Sequence, residues 1–124
     1  MARLGRAALV AAALLSAALG LSACGTGGAV ADARASCVYV HHALALQARS
    51  RAPGLSGARR AALHSRAVAV LLKGTPAAAR ATSSDGSWNP LMTTINEAER
   101  VPLEDLVATL TRMCSIADSS TPYL

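Results

Sequence analysis

The chain has 124 residues, 29 of them alanine, with one Trp, two Tyr, no Phe and a formal net charge of +5. That length holds one small domain and excludes a large multi-lobed enzyme. A hydrophobic fraction of 52% excludes a charge-rich disordered chain, and nine glycines without a repeat exclude a collagen-like one.

The first element in chain order is a targeting segment. Arg3 and Arg6 are the only charges between Met1 and Cys24, and Ala7 to Leu19 is an apolar run broken only by Ser16. A basic start followed by an apolar stretch of this length reads as a secretory signal. It is too short and too alanine-rich for a membrane span, which needs about 20 strongly apolar residues. Arg3 and Arg6 are not adjacent, so a twin-arginine signal is not supported.

The segment ends in Leu21-Ser22-Ala23-Cys24: an aliphatic residue, two small ones and a cysteine. This resembles the lipobox of bacterial lipoproteins. The resemblance implies a diacylglycerol on the sulfur of Cys24, cleavage between Ala23 and Cys24 by a type II signal peptidase, and residence at the extracytoplasmic face of the cell membrane. A thiol supplies the nucleophile, and small side chains at Ser22 and Ala23 let the backbone enter a narrow protease cleft. Leu21-Ser22-Ala23 also fits an ordinary signal-peptidase site. Two acyl chains together give stable anchoring without a span. The Ala/Arg/Leu-rich usage resembles proteins of high-GC actinobacteria.

The expected division is therefore a cleaved signal over 1–23, a lipidated Cys24 with a flexible tether over 24–32, and a helical domain over 33–124. Gly25-Thr26-Gly27-Gly28 opens the tether, and the eight residues from Gly25 to Asp32 reach roughly 16 Å as Gly-rich coil. Ala33 to Arg49 then shows helical spacing, with Cys37, Val40, Leu44 and Ala48 on one face. Pro53-Gly54 marks a turn, and Ser56 is placed to cap a second helix over Ala58–Lys73. Ala61, His64, Val68, Leu71 and Leu72 form its inner face. Lys73-Gly74 with Pro76 reads as a stop, Ala77 to Ala81 as a short turn of helix, and Thr82 to Ser87 as a polar loop.

Asn89-Pro90 reads as a cap and first turn, with Leu91, Ile95 and Ala98 continuing the helix to Glu99. Pro102 opens the last helix, where Glu104 and Asp105 suit the dipole. Leu103, Leu106, Val107, Leu110, Met113, Cys114 and Ala117 make its apolar stripe, and Ser119 to Leu124 is expected to fray. The fold class expected is all-α: a small antiparallel bundle of about four helices. A core so rich in alanine and lacking Phe is marginal on burial alone.

With Cys24 taken by lipid, Cys37 and Cys114 remain, one near the start of the first helix and one near the end of the last. Those positions lie at the same end of an up-down-up-down bundle, in a compartment that permits disulfides. A structural disulfide is the expectation; isolated cysteines without CxxC spacing argue against a metal or redox site.

His41 and His42 diverge by about 100° on a helix, and no HxxxH or acidic partner is in register, so no metal site is expected. Trp88 can fold onto Met92 as a staple or stack on a ligand. No GxSxG, HExxH, P-loop or dinucleotide fingerprint occurs, and neither an enzyme nor a cofactor is implied.

Charge is divided unevenly. Between Ala33 and Ala81 stand eight basic residues and no acidic one; from Thr82 onward there are six acidic and two basic residues. Either the halves attract each other across the bundle, or the basic half faces anionic headgroups or wall polymers. Arg49, Arg51, Arg59 and Arg60, around the first hairpin, form the candidate patch. Nucleic acid is disfavoured by the export signal. The function expected is a lipid-anchored, non-catalytic envelope module docking to a membrane or cell-wall protein. The alternative is a small-ligand or lipid-binding lipoprotein with a site between helices near Trp88.

Overall fold

The computed structural model describes residues 26–119, so the signal segment, Ala23, Cys24 and the last five residues lie outside the described residues. The described residues form five α-helices and one 3-10 turn: α1 Thr26–Ser50, α2 Gly57–Leu72, α3 Thr75–Ser84, the turn Gly86–Trp88, α4 Asn89–Glu97 and α5 Leu103–Ser119. The all-helical bundle expected from the sequence is present.

Helix α1 is the spine. Its 25 residues span about 37 Å, and α2, α3 and α5 all pack on it. Side-chain bonds fix the directions. Gln47 meets His64 on α2, Ser36 meets Gly74 before α3, and Asp32 meets Arg80 on α3, so α2 and α3 together descend antiparallel to α1. Thr75 at the head of α3 donates to Asn96 near the foot of α4, which makes α4 antiparallel to α3. Helix α5 returns antiparallel to α1: Glu104 lies by Gln47 and Ala117 by Arg34. The topology is up-down-up-down with its second leg broken in two.

The break sits at Gly74. Its φ of −76° is right-handed, so α2 stops there as Lys73-Gly74 suggested and the chain kinks directly into α3, with Pro76 in its first turn. Ala77, Ala78 and Ala81 are buried, which turns the short turn expected there into a ten-residue helix reaching Ser84, over part of the expected loop. Small side chains allow α3 to lie close to α1. Gly54, at φ 81°, supplies the left-handed position of the Pro53-Gly54 turn between α1 and α2.

Four local expectations change. Helix α1 begins at Thr26, seven residues before Ala33, so the part of the expected tether that is described is helical. Ala29 and Ala33 are fully buried and Asp32 pairs with Arg80, and this burial outweighs the low helix propensity of Gly27 and Gly28. Ala48 is exposed, since it lies with His41, Ala45 and Arg49 on the side of α1 that faces away from the bundle. Ala61 is exposed too, and the inner face of α2 is Ala67, Val70 and Leu71, with His64, Val68 and Leu72 half-buried. Asn89 does not cap α4: Asp85 Oδ1 accepts from Ser87 N at 2.9 Å and heads the 3-10 turn that leads into it.

Ser56 caps α2 as its position suggested, accepting from Arg59 N at 3.2 Å. Leu91, Ile95, Leu103, Leu110, Cys114 and Ala117 are buried as their spacing required. Cys37 and Cys114 are joined, with Cα atoms 5.5 Å apart and a sequence separation of 77. Closing a loop of that size stabilises by about 4–5 kcal/mol in the chain-entropy account, a large share of the stability of a small domain.

Candidate functional site

The candidate site is built where the α1–α2 hairpin ends. The Pro53-Gly54 turn brings the foot of α1 beside the head of α2, and both carry arginine. Arg49 from α1, with Arg59 and Arg66 from α2, surrounds an open depression of about 500 Å³ whose floor is Ala52, Leu55, Ala62 and Leu63. Arg59 and Arg66 stand seven apart, two turns along one face of α2, with Ala62 and Leu63 between them. No carboxylate lines this depression.

Arg51 and Arg60 turn to the other side of the hairpin. They line a second depression of about 550 Å³ with His64, Pro102 and Glu104. The four-arginine patch expected from the sequence is thus divided between two faces. Its stronger half gains Arg66, which the sequence reading did not select although its heptad spacing from Arg59 was visible.

A polar chain underlies the second depression. Buried Gln47 faces His64 Nδ1 with its Oε1 at 2.9 Å and donates from Nε2 to Glu104 at 3.4 Å, tying α2, α1 and α5 together. His64 therefore serves Gln47, and His41 pairs with Asp118 at 2.8 Å. His64 and His41 thus have separate partners and do not meet. Among the described residues no three of His, Cys, Asp and Glu are grouped to hold a metal ion.

Ion pairing across the bundle is sparse. Among the described residues the Arg–carboxylate pairs are Arg80–Asp32 at 3.0 Å and Arg100–Glu97 at 2.6 Å. Within 4.0 Å of Arg49, Arg51, Arg59, Arg60, Arg66 and Lys73 there is no described carboxylate. No direct ion pair therefore joins these cations to the acidic half, although Glu104 shares the second depression with Arg51 and Arg60. The opposite end of α1 is differently arranged: Asp32 and Arg80 neutralise each other, and Arg34 Nε donates to the Ala117 carbonyl at 2.9 Å.

Trp88 is only 5% exposed and belongs to the core cluster, with Met92 packed against that cluster. Its ring is closed to a stacking ligand, and neither arginine-lined depression includes it. Asp85 has its carboxyl held below the ordinary value of 3.8, first by the Ser87 backbone N–H and then by the Ser87 hydroxyl. That interaction belongs to the helix start and to no site.

No described helix is long and apolar enough to cross a membrane. Comparison of the chain with protein-family models, with curated proteins and with solved structures gave no match.

Proposed function

We propose that this chain is a lipid-anchored, extracytoplasmic and non-catalytic helical module, held to the cell membrane through diacylglycerol on Cys24 and docking there to an envelope partner. The observation that carries the reading is the spacing of anchor and fold. Only Gly25 separates the lipobox cysteine from α1. Helix α1 in turn is tied to α3 by Asp32–Arg80 and to α5 by Arg34–Ala117 and the disulfide. A lipid at Cys24 thus holds the whole bundle at the bilayer surface and leaves the α1–α2 hairpin about 37 Å away along the spine.

A disulfide that closes most of the domain suits an exported protein. The uncompensated arginines suit recognition more than stability, because unpaired surface cations repel one another and add little to folding.

Mass spectrometry of the intact protein from bacterial membranes tests the anchor. The expected product lacks residues 1–23 and carries acyl mass on Cys24, and Cys24→Ala abolishes both. A soluble product that keeps Met1 and has no acyl mass overturns the reading. Photo-crosslinking from Thr109, exposed on α5, in living cells tests docking: a discrete adduct is expected with native protein and is lost with Cys24→Ala.

A further inference from the structure

We infer that the domain lies flat on the bilayer, with the outer face of α1 against an anionic lipid surface and the Arg49–Arg59–Arg66 cluster as a second, electrostatic foothold. The inference rests on lipidation of Cys24 and adds the orientation, the surface and the lipid chemistry.

Three observations meet on one face. Between Arg34 and Arg49, α1 carries no Asp, Glu, Lys or Arg, although half of this helix faces away from the bundle. Val38 is 66% exposed and Tyr39 38% exposed on that outward side, where a helix facing only water carries charge. Exposed Val38, His42, Ala45 and Arg49 follow one another at spacings of four and three, so this face runs directly into the arginine cluster. Arg49 belongs to both.

The anchor selects the occupant. Gly25 alone lies between Cys24 and α1, which brings the head of the helix to the lipid surface and leaves its axis to stand or recline. Standing, α1 holds Arg49, with Arg59 and Arg66 of α2, far beyond the Debye length of about 8 Å, where headgroups have no hold on them. Reclining, it brings three guanidiniums without a neighbouring carboxylate onto the headgroups, each Arg contributing about 1 kcal/mol. Leu55 and Leu63 on the floor of the cluster then meet the interfacial region, and Tyr39 offers the amphipathic ring that such interfaces favour. Phosphate headgroups also give guanidinium its paired acceptors.

Neutron reflectometry on the lipidated mature protein, reconstituted on bilayers of phosphatidylcholine with or without phosphatidylglycerol, tests this. The expected protein layer is about 20 Å thick on the anionic bilayer, two helix diameters. It thickens towards about 37 Å on pure phosphatidylcholine, at high salt, or with R49A/R59A/R66A. Val38→Glu, which places a carboxylate on the exposed face, thickens it in the same way, and circular dichroism shows the helices of each variant intact. A layer that is tall on the anionic bilayer, or thin but indifferent to salt and to these substitutions, overturns the inference while leaving the anchor standing. A detergent-solubilised dimer that Val38→Glu splits, with no change in layer thickness, assigns the face to a second copy and also overturns it. Failure to form any layer, together with an unacylated mass, removes the anchor and the inference alike.

Discussion

At Gly74 a methyl group in place of hydrogen meets Ser36 Oγ at 3.0 Å, the Ser36 carbonyl at 3.1 Å and the Leu71 carbonyl at 3.2 Å. Two of those three neighbours are backbone, so α1 itself has to move to admit it. Replacing glycine at a right-handed position stabilises by about 0.4–1 kcal/mol through the unfolded chain, whereas overpacking costs about 1–3 kcal/mol. Gly74→Ala is therefore expected to be net destabilising in urea unfolding. Ser36→Ala is milder, about 1 kcal/mol, because the Gly74 carbonyl also accepts from Ala78 N and keeps a partner. A Gly74→Ala protein at least as stable as the native one would show that the crossing is slack. Asp85 gives a pH signature of a different kind. A carboxyl whose pKa is lowered by folding adds stability above its unfolded value of 3.8 and loses it as the pH falls through the lower folded value. The melting-temperature gap between native protein and Asp85→Ala is expected to be constant from neutrality to about pH 5 and to close below it. A gap that stays constant into stronger acid contradicts the Ser87 N–H as the cause.

The disulfide decides how independent the elements are. Cys37 and Cys114 lie within the contact of α1 with α5, three residues from the Arg34–Ala117 bond and ten from Gln47–Glu104. Reduction, or Cys37→Ala with Cys114→Ala, is expected to lower unfolding free energy by about 2–5 kcal/mol, with α5 released before the α1–α2 hairpin in hydrogen exchange. Simultaneous loss of protection in all helices would mean that the bond joins no separable unit. The pairing was legible because both cysteines lie on apolar stripes of helices whose direction the connections dictate. So was α5, where Leu103, Leu110, Cys114 and Ala117 repeat at helical spacing on a helix with one buried side. Helix α3 was not, because Ala77, Ala78 and Ala81 carry so little hydrophobic contrast that only packing against α1, α4 and the 3-10 turn gives them an inside. The start of α1 was hidden for a related reason. Gly27 and Gly28 argue for coil locally, and the contacts that overrule them, Ala29 with the core and Asp32 with Arg80, come from residues distant in sequence. The arginine site was half legible: Arg59 and Arg66 share a face by spacing alone, while the junction with Arg49 depends on how the Pro53-Gly54 turn closes.

Over the whole molecule, charge and stability are set against each other. Arg49, Arg59 and Arg66 crowd one depression without an anion to offset them, and Arg51 and Arg60 stand on the opposite side of the same hairpin. Gathering like charges at one end of a folded domain opposes folding, and the unfolded chain disperses them. Salt screens such repulsion over a Debye length of about 10 Å at 0.1 M, so the soluble mature domain is expected to gain stability between low and moderate salt. Arg49→Ala, Arg59→Ala and Arg66→Ala, all at exposed positions, should each stay within about 0.5 kcal/mol of native stability or exceed it. The triple variant should lose most of the salt dependence. The same substitutions are the ones expected to lift the lipidated protein from an anionic bilayer, so stability and membrane contact should move in opposite directions. A triple variant that loses more than about 1 kcal/mol at every salt concentration would make these arginines part of the scaffold, held for packing of their stems over Leu55 and Leu63 and not for what they face.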